Sequence, residues 1–401
     1  MALCKGWKAR DIGPQAKILT HANAMRENYR EIRDDWQLAK VLHEGQEEIK
    51  RCAFQNVNLT SESELSLSHS YTDCIFLGCT LPRGFKQKTR DCLFFPKMGE
   101  TFHYRSHLYT AEELYEGYDP SKPHTLKTCF DSRVYKHYLK MGKMAENIKE
   151  TLARTLHDHS ISDSLHAYLK ARDPRTIVGV MGGHGIERTA PSYRQIVFLS
   201  KRLTESGSLM ISGGGPGAME ATHLGAWMAG RETEEVEDAL ATLCEAPCFT
   251  DERWLETAMA VRKKYPQLDY ESLGMPTWLY GHEPATPFAT HIAKYFDNSI
   301  REDSIVTIAM GGIVYTPGSA GTMQEIFQEA VQNHYLSFGI SSPMIFLGKD
   351  YWTNEIPVWP LLQDLVARGK YKNLRLTLTD DQEEVVDVIT EFRSSTEPLV
   401  P

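Results

Sequence analysis

Long apolar runs are missing from this chain. No stretch reaches the length of a bilayer span, and the opening residues Met1 to Lys8 lack the continuous apolar segment of a signal peptide, so a cytoplasmic address is the default expectation and no membrane partner is expected. Cysteine is sparse as well. Eight in 401 residues do not make a disulfide scaffold. The spacings of Cys74 with Cys79 and of Cys244 with Cys248 match no common zinc pattern, so free, mostly buried thiols and no metal are expected. Positive charge is in deficit: 44 Lys and Arg stand against 53 Asp and Glu, a formal charge of -9, which argues against nucleic acid as a partner. An anionic ligand must then be held by local donors. The chain also has no Gly-Lys-Ser/Thr and no Gly-x-Gly-x-x-Gly followed by an acidic ribose anchor, so P-loop, nicotinamide and flavin readings lack support and no cofactor is expected.

What remains is ordinary globular material, 41% hydrophobic and 24% charged, in a chain long enough for two domains. Residues 1–170 read as one α+β unit. Ala24 to Arg51, with Met25, Tyr29, Ile32, Trp36 and Ala39 at helical intervals, predicts an amphipathic helix. Short β-like runs follow at Cys52–Leu59, Cys74–Leu81 and Cys92–Lys97. His103 and His107 have a metal-compatible spacing, but their surroundings read as strand and no third ligand is indicated. Asp131 to Lys170 is helical again, and Arg172-Asp-Pro-Arg175 breaks it. The domain boundary is placed between about 160 and 175.

From there the texture alternates between strands and helices, over a second domain at 171–401. Thr176 to Met181 is a continuous apolar run, as a strand buried on both faces requires, and ends at Gly182, Gly183 and His184. Leu209 to Ser212 is the next strand, leading into Gly213-Gly-Gly-Pro-Gly-Ala-Met-Glu-Ala221 and a helix. A charged helical segment at 231–272 interrupts as an insertion. Strands are then expected at Met275–Tyr280, Ile313–Thr316, Pro343–Leu347 and Leu374–Leu378. Two strand-glycine-helix units in succession predict an α/β fold with a doubly wound parallel sheet.

One stretch organises the chemistry. In Val314 to Glu325 an apolar strand end runs through Pro317-Gly-Ser-Ala-Gly-Thr322 into a helix, and side chains as small as Gly318, Ser319, Ala320 and Gly321 let a phosphate reach the N–H groups at the helix mouth. Thr322 adds a hydroxyl. Glu325, one turn further in, places a carboxylate where a bound phosphate would repel it, which makes more sense if the acid faces a reacting carbon. Taken alone, the same residues also read as a capping box with Thr322 at the N-cap.

With the motifs at Gly213 to Ala221 and Pro317 to Glu325 assembled, the chain resembles the LOG (Lonely Guy) family of nucleotide phosphoribohydrolases, formerly labelled lysine decarboxylases. It is similar also to the larger bacterial nucleotide 5′-monophosphate nucleosidases, which add an N-terminal domain. Arg301 matches the arginine that the family carries before the second motif. The resemblance covers about 175–392. It implies a Rossmann-like core that hydrolyses the N-glycosidic bond of a nucleoside 5′-monophosphate to free base and ribose 5-phosphate. Glu325 and Arg301 would be catalytic. Gly182, Gly183, Gly214, Gly215, Gly217, Met219, Glu220, Gly318, Ser319, Gly321 and Thr322 would bind the substrate. A homodimer at least is implied, with Ile326, Phe327, Ala330 and Val331 buried at its interface or in the core. Two departures stand out. Ser319 replaces a glycine, and Glu302 follows Arg301 where the family has lysine. A nucleotide sensor without turnover is the rival reading, while a pyridoxal enzyme has no lysine in an evident Schiff-base setting.

Overall fold

The computed structural model describes residues 29–98 and 101–395. The chain divides into two compact units, Met1–Lys97 and Met98–Pro401, each built on parallel strands. Among the described residues no helix is long and apolar enough to cross a membrane.

In the first unit short strands succeed one another as β1 (Arg30–Ile32), β2 (Glu48–Lys50), β3 (Cys52–Gln55), β4 (Ser70–Thr72), β5 (Ile75–Leu77), β6 (Thr89–Arg90) and β7 (Leu93–Phe95). They form two parallel sheets, β1-β3-β5-β7 and β2-β4-β6, so the chain winds as a coil and each turn lies on the one before. The corners between the sheets are Arg51, Asp73 and Asp91, with φ of 51°, 52° and 55°. Asp tolerates this left-handed conformation better than most residues. After each corner comes Cys-x-Phe. The rings of Phe54, Phe76 and Phe94 stack with centroids 4.9 and 5.0 Å apart, the spacing that parallel strands impose.

The three expected β runs are thus present, each shorter than its sequence suggested. The helix expected over Ala24–Arg51 is corrected to α1 (Asp35–His43). Asp34 starts it by accepting from the Gln37 N–H at 2.7 Å, and Gly45, at φ 73°, follows its end. Strands β1 and β2 flank it. Residues 24–28 of the expected helix lie outside the described residues. A second short helix, α2 (Ser63–Ser68), crosses between β3 and β4.

The second unit begins well before the expected boundary. The sequence places that boundary at 160–175, yet α3 (Ala111–Leu114), α4 (Phe130–Met141) and α5 (Ile148–Leu169) belong with the α/β sheet. Tyr109 exchanges two backbone hydrogen bonds with Ile292, at 2.9 and 2.8 Å. Phe102, Tyr138 and Leu165 join the hydrophobic cluster that contains Ile177 and Ile313. Asp131 takes a hydrogen bond from the Trp278 indole at 2.9 Å and pairs with the fully buried Lys294 at 2.6 Å. The Asp-Pro break at 173–174 ends a helix and leads into a strand. It separates elements, not domains.

The sheet consists of β8 (Ile177–Met181), β9 (Leu209–Ser212), β10 (Ser272–Gly274), β11 (His291–Ile292), β12 (Gly312–Tyr315), β13 (Pro343–Leu347) and β14 (Arg375–Thr379). Its order is β11-β10-β9-β8-β12-β13-β14, and every pairing is parallel. This is the doubly wound α/β arrangement. Side chains alternate between two core layers: Ile177, Met181 and Ile313 lie in one, Val178, Val180 and Val314 in the other. The strand expected at Met275–Tyr280 is displaced. Pro276 has no N–H for a ladder, so β10 ends at Gly274 and Trp278–Tyr280 forms a single 3-10 turn.

The insertion is helical, as expected. Ahead of it come α6 (Pro191–Glu205) and α7 (Ala218–Trp227), and its own helices are α8 (Thr233–Leu243) and α9 (Trp254–Lys264). Val236, Ala239, Leu240, Ala258 and Val261 pack into one core layer with residues of α6 and α7. Beyond it run α10 (Asn298–Ile308), α11 (Ala320–Tyr335), α12 (Val358–Ala367) and α13 (Gln382–Ser394). On α11, Ile326 and Ala330 are buried in the core and Phe327 packs against it, whereas Val331 and Tyr335 are exposed.

Candidate functional site

Strand β8 lies between β9 and β12, so the connections that follow β8 and β12 run in opposite directions and a crevice opens at their carboxyl ends. Three loops meet there. The Gly183 N–H donates to the Pro317 carbonyl at 3.0 Å, and the Gly183 carbonyl accepts from the Ala218 N–H at 3.1 Å. Gly182 has no room for a side chain, since a Cβ would stand 1.9 Å from Thr316 Oγ1. At Gly217, φ is 67° and a Cβ would lie 2.4 Å from the Gly183 carbonyl oxygen. These glycines are therefore needed to bring the loops together, before any ligand is considered.

The second glycine loop has its own support. Gly214, at φ 69°, leaves 2.9 Å between a would-be Cβ and the Met275 nitrogen. Ser212 Oγ accepts the Gly214 N–H at 3.1 Å and meets His223 Nε2 at 2.8 Å, while His223 Nδ1 meets Ser272 Oγ at 2.9 Å. Burial lowers the His223 pKa to about 3, so the ring stays neutral and acts as a fixed donor and acceptor. Met219 lies over the loop, with Sδ 2.6 Å from a would-be Cβ on Gly213 and Cε 2.8 Å from one on Gly215.

At the third loop the helix begins at Ala320, with Ser319 as the N-cap residue. The capping-box alternative is thus corrected: Thr322 lies inside the first turn and is buried, with Oγ1 2.2 Å from a would-be Cβ on Gly318. The Tyr351 hydroxyl donates to the Gly318 carbonyl at 2.7 Å and holds the loop from outside. Ser319 and Gly321 are exposed, and a Cβ on Gly321 would meet no atom within 4 Å. Space thus lies beside Gly321 in the first turn of the helix, the end whose N–H groups and dipole favour an anion.

Glu325 follows one turn deeper and is 7% exposed. Burial pushes its pKa up to about 8; Arg301 opposes this rise and Glu302 adds to it. Arg301 is itself buried. Its Nε donates to the Met275 carbonyl at 2.7 Å, its Nη1 pairs with Glu302 at 2.5 Å, and its Nη2 lies against Gly213. Glu302, the departure noted in the sequence, therefore offsets the charge of Arg301 directly.

Glu220, expected among the substrate-contacting residues, is committed elsewhere. It is fully buried, bound by Arg188 through Nε at 2.9 Å and Nη2 at 2.5 Å and by the Tyr193 hydroxyl at 2.9 Å. Arg188 Nη1 in turn donates to the carbonyls of Ala246 and Trp254, both at 3.1 Å, and so fastens the insertion to the glycine loop. Sequence reasoning missed Arg188, the Ser212–His223 pair and Glu283. The last is a largely buried carboxylate 3.9 Å from His184 and 3.7 Å from a would-be Cβ on Gly215. Only the position of Glu283, shortly after β10 and so near a strand's carboxyl end, marked it in advance.

No family model matches the chain, and no curated protein does. Solved structures with some likeness include the molybdenum cofactor binding protein of Rippkaea orientalis, 17% identical, covering 55% of this chain and 98% of that one with a TM-score of 0.34. The molybdenum cofactor carrier protein of Chlamydomonas reinhardtii is 16% identical, covers 56% of this chain and 100% of that one, and has a TM-score of 0.36. The protein TM1055 is 20% identical over 54% of this chain and 98% of that one, also at 0.36. At these scores the likeness bears on neither activity nor ligand, and the doubly wound sheet rests on the strand order given above.

Proposed function

We propose that this chain hydrolyses the N-glycosidic bond of a nucleoside 5′-monophosphate, releasing the base and ribose 5-phosphate. The observation that carries the proposal is the buried Glu325 beside Arg301, one turn inside a helix whose mouth is open for an anion. A site that only bound phosphate would gain nothing from burying a carboxyl group there. The phosphate sits at Gly318 to Thr322, and the ribose lies over Gly214 and Gly215.

The raised pKa gives Glu325 a different role from the standing negative charge that its position in the sequence suggested. Below about pH 8 the carboxyl holds its proton, and a phosphate dianion nearby favours that form further. Glu325 then protonates the departing base as the glycosidic bond breaks. The carboxylate left behind balances the oxocarbenium character that grows on the ribose, and as water adds to the anomeric carbon it takes up the proton that the water loses. General acid catalysis of this kind contributes about 10²–10⁴-fold. Arg301, fixed by the Met275 carbonyl and Glu302, positions the nucleotide.

The deciding experiment incubates purified protein with nucleoside monophosphates and the matching nucleosides, measuring free base by chromatography and binding by calorimetry. Base release from monophosphates, with nucleosides far poorer, supports the proposal. Equal turnover of the two removes the phosphate assignment. Tight binding with no base released turns the site into a nucleotide sensor, a reading that the Arg301–Glu302 pair favours because it satisfies the arginine without any chemistry. A homodimer belongs to the same proposal, and a monomer by light scattering at micromolar concentration would count against it.

A further inference from the structure

A cavity of about 130 Å³ opens beside the glycine loops, between the turn that follows β8, the Pro216–Gly217 corner and the insertion residues Pro247 to Thr250. Its size matters. An engineered apolar cavity of about 150 Å³ takes up benzene, so this one seats one ring of a base, and a purine fits with its second ring toward the opening. Phe249 lines it from the insertion and also packs against the core, its ring centroid 6.1 Å from that of His184 and inclined at 71°. Ile186 and Pro216 supply further apolar surface.

The wall is held in place by its own hydrogen bonds. The Cys248 N–H donates to Asp251 Oδ2 at 2.8 Å and the Asp251 N–H to the Cys248 carbonyl at 2.9 Å, closing the loop into a tight turn. The Arg188 N–H donates to the Pro247 carbonyl at 3.1 Å, beside the side-chain bonds that already tie Arg188 to the insertion. The cavity is polar at its rim. Glu187 stands there exposed, one oxygen taking a contact from the Cys248 thiol at 3.3 Å and the other a long one from the Thr189 hydroxyl at 3.4 Å. The turn that carries it starts one residue beyond Gly183, which touches the phosphate loop.

We infer that the insertion is the specificity element of the site: Phe249 stacks on the base of the nucleotide, and Glu187 accepts a hydrogen bond from an exocyclic amino group. The inference rests on the nucleotide reading above and names its substrate class, a monophosphate whose base carries an amine. A keto group at the same place would face the carboxylate with a second acceptor, and neither could be satisfied. Stacking on an aromatic ring is tolerant of sequence, so the ring supplies affinity and the carboxylate supplies choice.

The test measures binding of AMP, IMP and ribose 5-phosphate to wild type and to Phe249→Ala, Phe249→Leu and Glu187→Gln. Wild type should prefer AMP to IMP. Phe249→Ala should weaken both nucleotides by about tenfold or more and leave ribose 5-phosphate unchanged, which also shows that the variant is folded. Phe249→Leu, which keeps apolar bulk without a π-face, should fall between. Glu187→Gln should erase the preference for AMP. If Phe249→Ala leaves nucleotide affinity intact, or weakens ribose 5-phosphate as much as AMP, the assignment of the wall is overturned. Wild type that binds ribose 5-phosphate as tightly as any nucleotide overturns it too, with the phosphate site still standing. Wild type that binds none of the three removes the nucleotide reading itself, and this inference with it.

Discussion

The guanidinium of Arg301 occupies the space that a side chain at residue 213 would need: a Cβ on Gly213 would stand 2.4 Å from Nη2. The backbone of Gly213 is not in the left-handed region, so alanine is sterically barred there by the arginine and Met219, and by no torsional requirement. Gly213→Ala should leave the fold intact, displace Arg301, and reduce kcat/KM by about tenfold or more, since a small misplacement of a positioning group is enough for that. Thermal melting with steady-state kinetics checks it. Unchanged kinetics would mean that the guanidinium position is immaterial.

Removing the proton donor is the sharper change. Glu325→Gln keeps size and neutrality but cannot give up a proton, so turnover should fall by about a hundredfold while nucleotide affinity changes little. Single-turnover base release alongside calorimetric binding separates the two effects. Equal loss of both would assign Glu325 to binding.

Activity should also fall as pH rises through about 8, because Glu325 loses its proton there. Stability follows the same sign. Burial lifts Glu325 to about 8 and Glu329 to about 7, so between the ordinary carboxylate range and those values the native state holds protons that the unfolded chain has released. The stabilisation is complete below about pH 4.5 and is lost as pH climbs through the folded-state values. Glu325→Gln should melt higher than wild type at pH 8.5, by about 2–4 °C per kcal/mol of relief, and close to wild type at pH 5. The reverse order would contradict the burial of Glu325.

In the first unit Phe76 lies between two stacked neighbours, Phe54 and Phe94. Phe76→Ala should destabilise the coil by about 3–5 kcal/mol. Hydrogen exchange at the amides of β3, β5 and β7 is the readout, and protection equal to wild type would mean that the ring column is not what holds the turns.

How much of this the sequence disclosed depended on range. The glycine loops, the strand ends that carry them and the helix mouth at 318–322 are local patterns, and they were legible. So was the insertion as a helical segment, though Phe249 and Arg188 acquire their roles only once distant loops meet. The boundary failed for a similar reason. Asp173-Pro174 is a strong local break, whereas the bridge from Tyr109 to Ile292 that binds residues 101–170 to the sheet spans the unit and leaves no local trace. The ion pair that holds Glu220 was not legible, because its partner Arg188 lies in another loop. The first unit was different. Its repeat stands in plain view as Arg51-Cys-Ala-Phe, Asp73-Cys-Ile-Phe and Asp91-Cys-Leu-Phe, and only the comparison of the three runs shows the coil.

That repeat makes the first unit modular in a way the glycine-loop site is not. The strands of each turn pair with those of the turn above and the turn below, so the free energy of the coil is close to a sum over neighbouring pairs. Lengthening the unit by one whole turn, corner and Cys-x-Phe included, would repeat contacts that already exist. At the crevice, by contrast, the fit of Gly183 against Pro317 and Gly217 is made once, and a residue added to any of the three loops would part them.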